Sequence, residues 1–535
     1  MSTDASPIVD PSLLPDDPAL LKQLIVQLLA ELRESHARLE RQEHHMHLLL
    51  KRLYGSASEK FDPQQGLLFD VAASEEATVA PPAPPVPAPR PAPPHRHPHG
   101  RGRLPESLKR VELVHDLTEA EKAALGGAEN LVELPAETSE QLDWSPSCLF
   151  VTVHVRKKYA RKTPLPESGL TLAEQNVVVA AKPAEAIPGG LAGPGLLAQV
   201  ITSKYGDHLP LYRLEGIFER QGQKIPRQTS DGWVLACAEL CRPLYRRMVE
   251  VVLGSRTLHT DDTPVKVRDA WQKLKHTGRF WTYVGDPLHP LTVFDYTASR
   301  KRDGPAEFLK TYRGYLQADA FGGYDGIYAG SQGGIVEVGC WAHARRKFHE
   351  SRRLDPPRME TALAWIGQLY ALEKELRQRR EGPWQQLTSD EYAAQIAAVR
   401  QERARPLLDR FHAWLEAEAP KILPKSAVRA ALDYTLSNWS ALYRYTESGW
   451  TDIDNNAAEN ALRGIALGRK NWLFCGSDRG GQTAAVYFSL LASCKRHGHD
   501  PWAYLHDVFC RLPGILAAGN DADLVLLLPH RWRPV

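Results

Sequence analysis

Several things are scarce in this 535-residue chain, and each scarcity excludes a class of protein. Net charge is almost absent: 66 Lys and Arg face 64 Asp and Glu, leaving +2. A histone-like polycation is excluded, so any grip on nucleic acid must come from local basic patches. No window of about 18 uncharged apolar residues exists to span a membrane. The opening Met-Ser-Thr-Asp is acidic and lacks a signal-peptide apolar core, so a cytoplasmic, nucleoid-associated location is expected, with no membrane partner. Cysteine is sparse: Cys148, Cys237, Cys241, Cys340, Cys475, Cys494 and Cys510 are odd in number and scattered, as reduced thiols are. Cys237 and Cys241 stand one helix turn apart and read as core, because no second pair completes a zinc site. What is present is a globular composition. With 43% apolar and 24% charged residues, the chain supports about three to five folded units.

Along the chain the pattern changes repeatedly. Residues 1–71 carry a heptad rhythm, Ile25, Leu32, Leu39, Met46 and Leu53, with Leu21, Leu28 and Leu49 on the alternate seam. This predicts an N-terminal coiled coil and a homo-oligomer, although Ser35 and Gln42 interrupt the second seam. Residues 72–104 are proline-dense and end in His95-Arg-His-Pro-His-Gly-Arg-Gly-Arg103, an extended basic linker. Residues 105–165 read as a small β-rich module closing on Arg156-Lys-Lys-Tyr-Ala-Arg-Lys162. There Arg156, Lys157, Lys158, Arg161 and Lys162 surround Tyr159, a mixture suited to phosphate pairing and stacking on DNA. Residues 166–250 suggest three helices near 196–205, 211–221 and 230–248. The turn 221–230, with Arg227, resembles a helix-turn-helix break for DNA binding.

From 251 to 355 short strands dominate. The run 256–267 carries Asp261 and Asp262, 278–284 and 291–296 follow, and 315–324 delivers Asp319 into a glycine turn. Three antiparallel strands with an acid on the first, then a strand ending in an acid, is the order of a ribonuclease H-like catalytic core. Phosphodiester cleavage asks for such carboxylates, since hard divalent cations take oxygen ligands and two of them activate the nucleophile and stabilise the leaving oxygen. Residues 356–445 are Ala/Leu/Glu/Arg-rich and read as a helical insertion. The core then resumes at 446–490, where Asp454-Asn-Asn-Ala-Ala-Glu459 opens a helix and offers Glu459 as third acid, before a helical tail over 491–535. Taken singly, each acid is also an ordinary turn or helix-start residue.

The strings His259-Thr-Asp-Asp-Thr-Pro264, Leu316-Gln-Ala-Asp319, Cys340-Trp-Ala-His-Ala-Arg-Arg-Lys-Phe348, Asp454-Asn-Asn-Ala-Ala-Glu459 and Gly468-Arg-Lys-Asn-Trp-Leu-Phe474 resemble the transposase of the insertion sequence 66 family. The resemblance covers most of the chain. It implies a multidomain α/β DDE transposase with a ribonuclease H-like core and a helical insertion, in which Asp261, Asp319 and Glu459 are the catalytic, metal-binding acids for two Mg2+ (or Mn2+) ions. It also implies accessory proteins from the same element. The family's four-cysteine zinc module is missing its ligands here, at 121–129 and 159–164, so no zinc is expected. Asn460 stands where the family commonly has Arg, and Asp262 where it has Glu.

Cations flank these acids. His343, Arg345, Arg346 and Lys347 share one segment and suit phosphate positioning, while Arg463, Arg469, Lys470 and Arg479 follow Glu459 and suit a DNA backbone clamp. Asn455 and Asn456 are expected to orient the helix start. The function that follows is cutting and joining of the element's terminal inverted repeats to target DNA. The alternatives are a transposase-derived DNA-binding scaffold without activity and a ribonuclease H-like nuclease without strand joining.

Overall fold

Val151-Thr-Val-His-Val155 is β-branched and alternating, and it forms the centre of the first of two sheets in the computed structural model. The structure describes residues 104–145, 148–161, 177–269, 274–319, 324–331 and 333–534. The coiled coil expected over 1–71, nearly all of the 72–104 linker, Lys162 and the side chain of Arg161 lie outside these residues. In the small sheet, β3 (Cys148–Arg161) is antiparallel to β2 (Leu131–Ser145) along its whole length. Its other side pairs first with β1 (Arg110–His115), in parallel, and then with β4 (Val177–Val179), antiparallel. Strand β4 carries the module past the boundary expected at 165, because a three-residue valine strand is too short to announce itself. Helix α1 (Glu119–Ala124) begins with a reciprocal Thr118–Glu121 capping box. Leu117, Tyr159 and Ala180 form a minor apolar cluster, whereas Leu142, Leu149 and Val151 join the main core.

Three helices follow: α2 (Pro194–Ile201, continued by a π turn over Thr202–Gly206), α3 (Leu211–Arg220) and α4 (Arg227–Leu253). The last starts three residues earlier than its sequence suggests, directly after Pro226. Cys237, Cys241, Leu244 and Met248 are completely buried on its inner stripe, and burial pushes both thiols up. Both cysteines are therefore core residues.

The second sheet has the order β7-β6-β5-β8-β9. Strands β5 (Thr257–Asp269), β6 (Leu274–Val284) and β7 (Thr292–Thr297) form an antiparallel meander. After α5 (Asp303–Phe308), β8 (Gly314–Gln317) lies parallel to β5; after α6 (Asp325–Gly330), β9 (Ile335–Val338) lies parallel to β8. The expected strand 315–324 is thus far shorter, and the four-residue β9 has no sequence signature of its own.

The rest is helical: α7 (Trp341–Ser351), α8 (Pro356–Arg380), α9 (Ser389–Val399, with a π turn over Arg400–Ala404), α10 (Arg405–Glu418), α11 (Ala427–Ser437) and α12 (Trp439–Tyr443). These build a second apolar core around Trp341, Phe348, Ile366, Leu408 and Phe411. The chain then returns through α13 (Asn456–Trp472), α14 (Asp478–Arg496), α15 (Pro501–Ala518) and α16 (Asp521–Leu526). Helix α14 closes the outer edge of the sheet: Phe294 and Thr292 of β7 donate their N–H groups to the Ser489 and Ser493 hydroxyls. No described helix is long and apolar enough to cross a membrane.

Candidate active site

Successive residues of a strand point to opposite faces, so Asp261 and Asp262 part company on β5. Asp262 faces outward and is gripped by Arg279 of β6 at 2.7 Å and Arg300 at 2.9 Å, which leaves its side chain 4% exposed. Asp261 faces the α13 side. Parallel pairing sets Gln317 opposite His259. Asp261 and Asp319 share that offset two residues onward, Asp319 lying just past the end of β8, and the charge of Asp319 is felt at the Asp261 carboxyl. The 58-residue spacing of these acids is therefore the register offset of the two strands.

Glu459 completes the group from the first turn of α13, whose start is fastened to β5. Asn455 is fully buried; its Nδ2 donates to the Thr260 carbonyl at 2.8 Å, its Oδ1 lies 3.2 Å from His259 Nδ1, and its backbone N–H meets Cys340 Sγ at 3.2 Å. Gln317 ties the β8 end to the same approach, donating to the Asp452 carbonyl at 2.6 Å and accepting from the Asp452 N–H at 3.1 Å. Farther out, buried Arg400 pairs with Glu373 at 2.7 Å and donates to the carbonyls of Tyr445, Ser448 and Thr451. The insertion thereby fixes the loop that feeds α13. His259, Gln317 and Arg400 are functional supports that the sequence reading missed. The first two carried a usable signal, since each sits two residues before an acid and so on its face.

The electrostatics record the convergence. Burial, followed by repulsion from Asp319, Asp262 and Glu459, pushes the Asp261 carboxyl up to about 7, against the opposing N–H of Asp262. His343 Nδ1 lies 3.6 Å from Glu459 Oε1 and Arg346 reaches Glu459 Oε2 at 3.5 Å. Burial holds the His343 imidazole below its usual range, although Glu459 pulls the other way. Glu459 Oε1 and His343 Nδ1 are both buried without a hydrogen-bond partner among the described residues. Such atoms call for an absent ligand, and a set of three carboxylates suits a hard divalent cation. Ligand atoms of Cys340, His343 and Glu459 also lie within 4.8 Å of one another. That thiol is a poor ligand, because burial pushes it up to about 12 and its sulfur already accepts the Asn455 N–H.

The cations divide. Lys347 lies over the Tyr434 ring at 5.6 Å, and Arg345 is half-buried beside it on α7. Arg463 and Lys470 are exposed on α13. Arg469, expected on DNA, instead donates to Thr263 Oγ1 at 2.8 Å and the Pro264 carbonyl at 2.6 Å and braces β5. Arg479 leans toward Glu239 at 3.8 Å. Arg227 is exposed at the start of α4. The cluster in the small module is largely self-neutralised: Arg156 and Lys158 pair with Glu137, and Lys157 with Asp116 and Glu133. Tyr159 is buried with its hydroxyl on Asp116, so it offers no stacking surface.

Comparison with known proteins identifies the family. The model of the Transposase IS66 family matches residues 189–483, which contain all three acids. An IS66 C-terminal element matches residues 489–530, and a region described as Transposase C of IS166 homeodomain matches residues 41–113. The last gives a DNA-binding, homeodomain-like character to the stretch expected to hold the coiled coil and linker. Uncharacterized protein y4hP of Sinorhizobium fredii is 31% identical over 430 residues, 76% of this chain and 72% of that protein. Uncharacterized protein y4jD of the same organism is 29% identical over 443 residues, 81% of this chain and 82% of its own. The chain belongs to the IS66 family of transposases, a family of the DDE type.

Proposed function

We propose that this chain cuts DNA at the ends of its element and joins them to target DNA, with Asp261, Asp319 and Glu459 as its catalytic acids. The order β7-β6-β5-β8-β9, an antiparallel meander extended by two parallel strands, supports a ribonuclease H-like core interrupted by the helical insertion of 356–445. The observation that carries the reading is the Asp261 carboxyl, held up to about 7 by burial and by the charges of Asp319 and Glu459. Three acids remote in sequence are brought close enough for Asp319 and Glu459 to raise the Asp261 carboxyl.

These three side chains would hold a pair of divalent cations, Mg2+ or Mn2+, which lower the pKa of a bound water and neutralise charge at the phosphate. The chain's own groups set the stage. Arg346 reaches one oxygen of Glu459, and Asn455 locks the helix start to the strand that bears Asp261. Burial disfavours the charged imidazole of His343, whose Nδ1 has no hydrogen-bond partner among the described residues. The element's ends, target DNA, a second copy of the chain and accessory proteins of the same element are the partners this reading requires.

Purified protein incubated with labelled element ends and Mg2+ tests the proposal. Cleavage at the end followed by joined products is expected. Asp319→Asn should remove both while leaving DNA binding close to wild type; cutting retained by that variant would falsify the assignment.

A further inference from the structure

Strands β5 and β6 continue well past the acids, and their outward faces differ from the rest of the sheet. Val265 and Val267 point into the core, while Lys266 and Arg268, between and beyond them, are exposed. Register places Lys275 of β6 directly opposite Arg268, and Lys275 is exposed as well. Like charges facing each other across a ladder cost stability. None of Lys266, Arg268 and Lys275 forms an ion pair among the described residues, and the acid of β5 on this face, Asp262, is consumed by Arg279 and Arg300.

An apolar hook rises beside these cations. Helix α13 ends at Leu473 with φ 66, a left-handed backbone that leucine rarely adopts. The reversal lets Cys475 pair with β5, its N–H donating to the Lys266 carbonyl and its own carbonyl accepting from Arg268. It also leaves Leu473 62% and Phe474 39% exposed. The Arg268 guanidinium lies 5.3 Å from the centroid of the Phe474 ring. Between strand and hook is an open notch of about 450 Å³, lined by Lys266, Arg268, Thr277, Arg469, Leu473 and Phe474. Backbone strain spent on exposing apolar side chains among unpaired cations marks a binding surface rather than a packing solution.

We propose that this notch seats a DNA strand flanking the reacting phosphate, with backbone phosphates on Lys266, Arg268 and Lys275 and one unpaired base against Phe474. Cations alone would fit any polyanion. An exposed aromatic ring among them selects a nucleic acid with an unstacked base. At roughly 3.3 Å per residue, Lys266 lies about 17 Å along β5 from Asp261 and on the opposite face of the strand, so the seat stands across the sheet from the acids. Only the identity of the bound strand as the one being cut rests on the function proposed above; binding itself does not.

Fluorescence anisotropy on the full chain in EDTA, where nothing is cut, measures the seat. The probes are a blunt duplex and the same duplex carrying a short single-stranded tail. Lys266→Ala combined with Lys275→Ala should weaken both and lower the slope of log affinity against log salt by roughly one per cation removed. Phe474→Ala should weaken the tailed duplex about ten-fold and spare the blunt one. Both sets of residues are exposed, so melting temperatures should match wild type and exclude misfolding. Variants that bind both probes like wild type, or a Phe474→Ala loss equal on the two, would overturn the seat. A protein that binds through these residues yet never cuts loses the catalytic reading alone; one that cuts while these variants bind normally loses the seat alone.

Discussion

The two faces of β5 carry adjacent aspartates with opposite fates. On the outward face Asp262 is matched by two arginines, its charge fully answered by the protein. On the inward face Asp261 meets two further acids, and its own carboxyl is answered by burial, the one cation there, Arg346, reaching Glu459 instead. A folded chain can accommodate a carboxylate either by pairing it or by leaving it poised for something it does not itself contain. Neighbouring positions with the same side chain are told apart only by the direction in which the strand turns them.

Substitutions sharpen that contrast, beginning where the effect should be largest. Asp261→Asn is expected to reduce cutting of labelled ends to background, whereas Asp262→Asn should leave cutting measurable; equal loss from both would erase the distinction between the faces. Next comes the remote support of the inward face. Glu373→Gln strips the counter-charge from buried Arg400, and breaking such a pair costs about 3–5 kcal/mol. Chemical denaturation should report that loss, and cutting should fall with it because the loop before α13 is released. On the outward face, Asp262→Asn leaves Arg279 and Arg300 without their acid, and should cost about 1–3 kcal/mol by the same measurement, less than the buried pair because both arginines reach solvent.

A pH dependence in metal-free protein tests the inward face by itself. The Asp261 carboxyl keeps its proton up to about 7 in the folded chain, whereas an unfolded aspartate ionises near ~3.9. Its contribution to stability is therefore fully present below that lower value and is lost as pH rises through about 7. Asp261→Asn should melt above wild type in mildly alkaline buffer, with the gap closing in acid. A gap that widens in acid would reverse the sign and with it the account of the inward face.

What the sequence conveyed follows the same logic. The acids were legible because their strands are β-branched and their motifs long, and because a constant register turned the spacing of Asp261 and Asp319 into a neighbourhood. The core cysteines Cys237 and Cys241 were legible from helical spacing. Short elements were not: β4 and β9 exist through partners far along the chain, and no local pattern of three or four residues can declare them. Charge misled in both directions. The run from Arg156 to Lys158 is conspicuous in sequence yet neutralised by Glu137, Glu133 and Asp116, which arrive from other segments. Lys266, Arg268 and Lys275 look scattered in sequence and become a patch only when two strands pair. Arg469 was assigned to DNA because it follows Glu459 closely, but the helix turns it back onto β5.

The long helical detour between β9 and α13 also has a consequence for synthesis. A ribosome completes both strand-borne carboxylates before it begins that detour, and the third emerges only after the whole of it. On the proposed reading, nascent and prematurely terminated chains hold two acids and lack the last, together with the loop that Arg400 must grip. On that reading such fragments are expected to show no cutting of labelled ends. Competence arrives late in translation, once the part of the chain that aims the final carboxylate has been made.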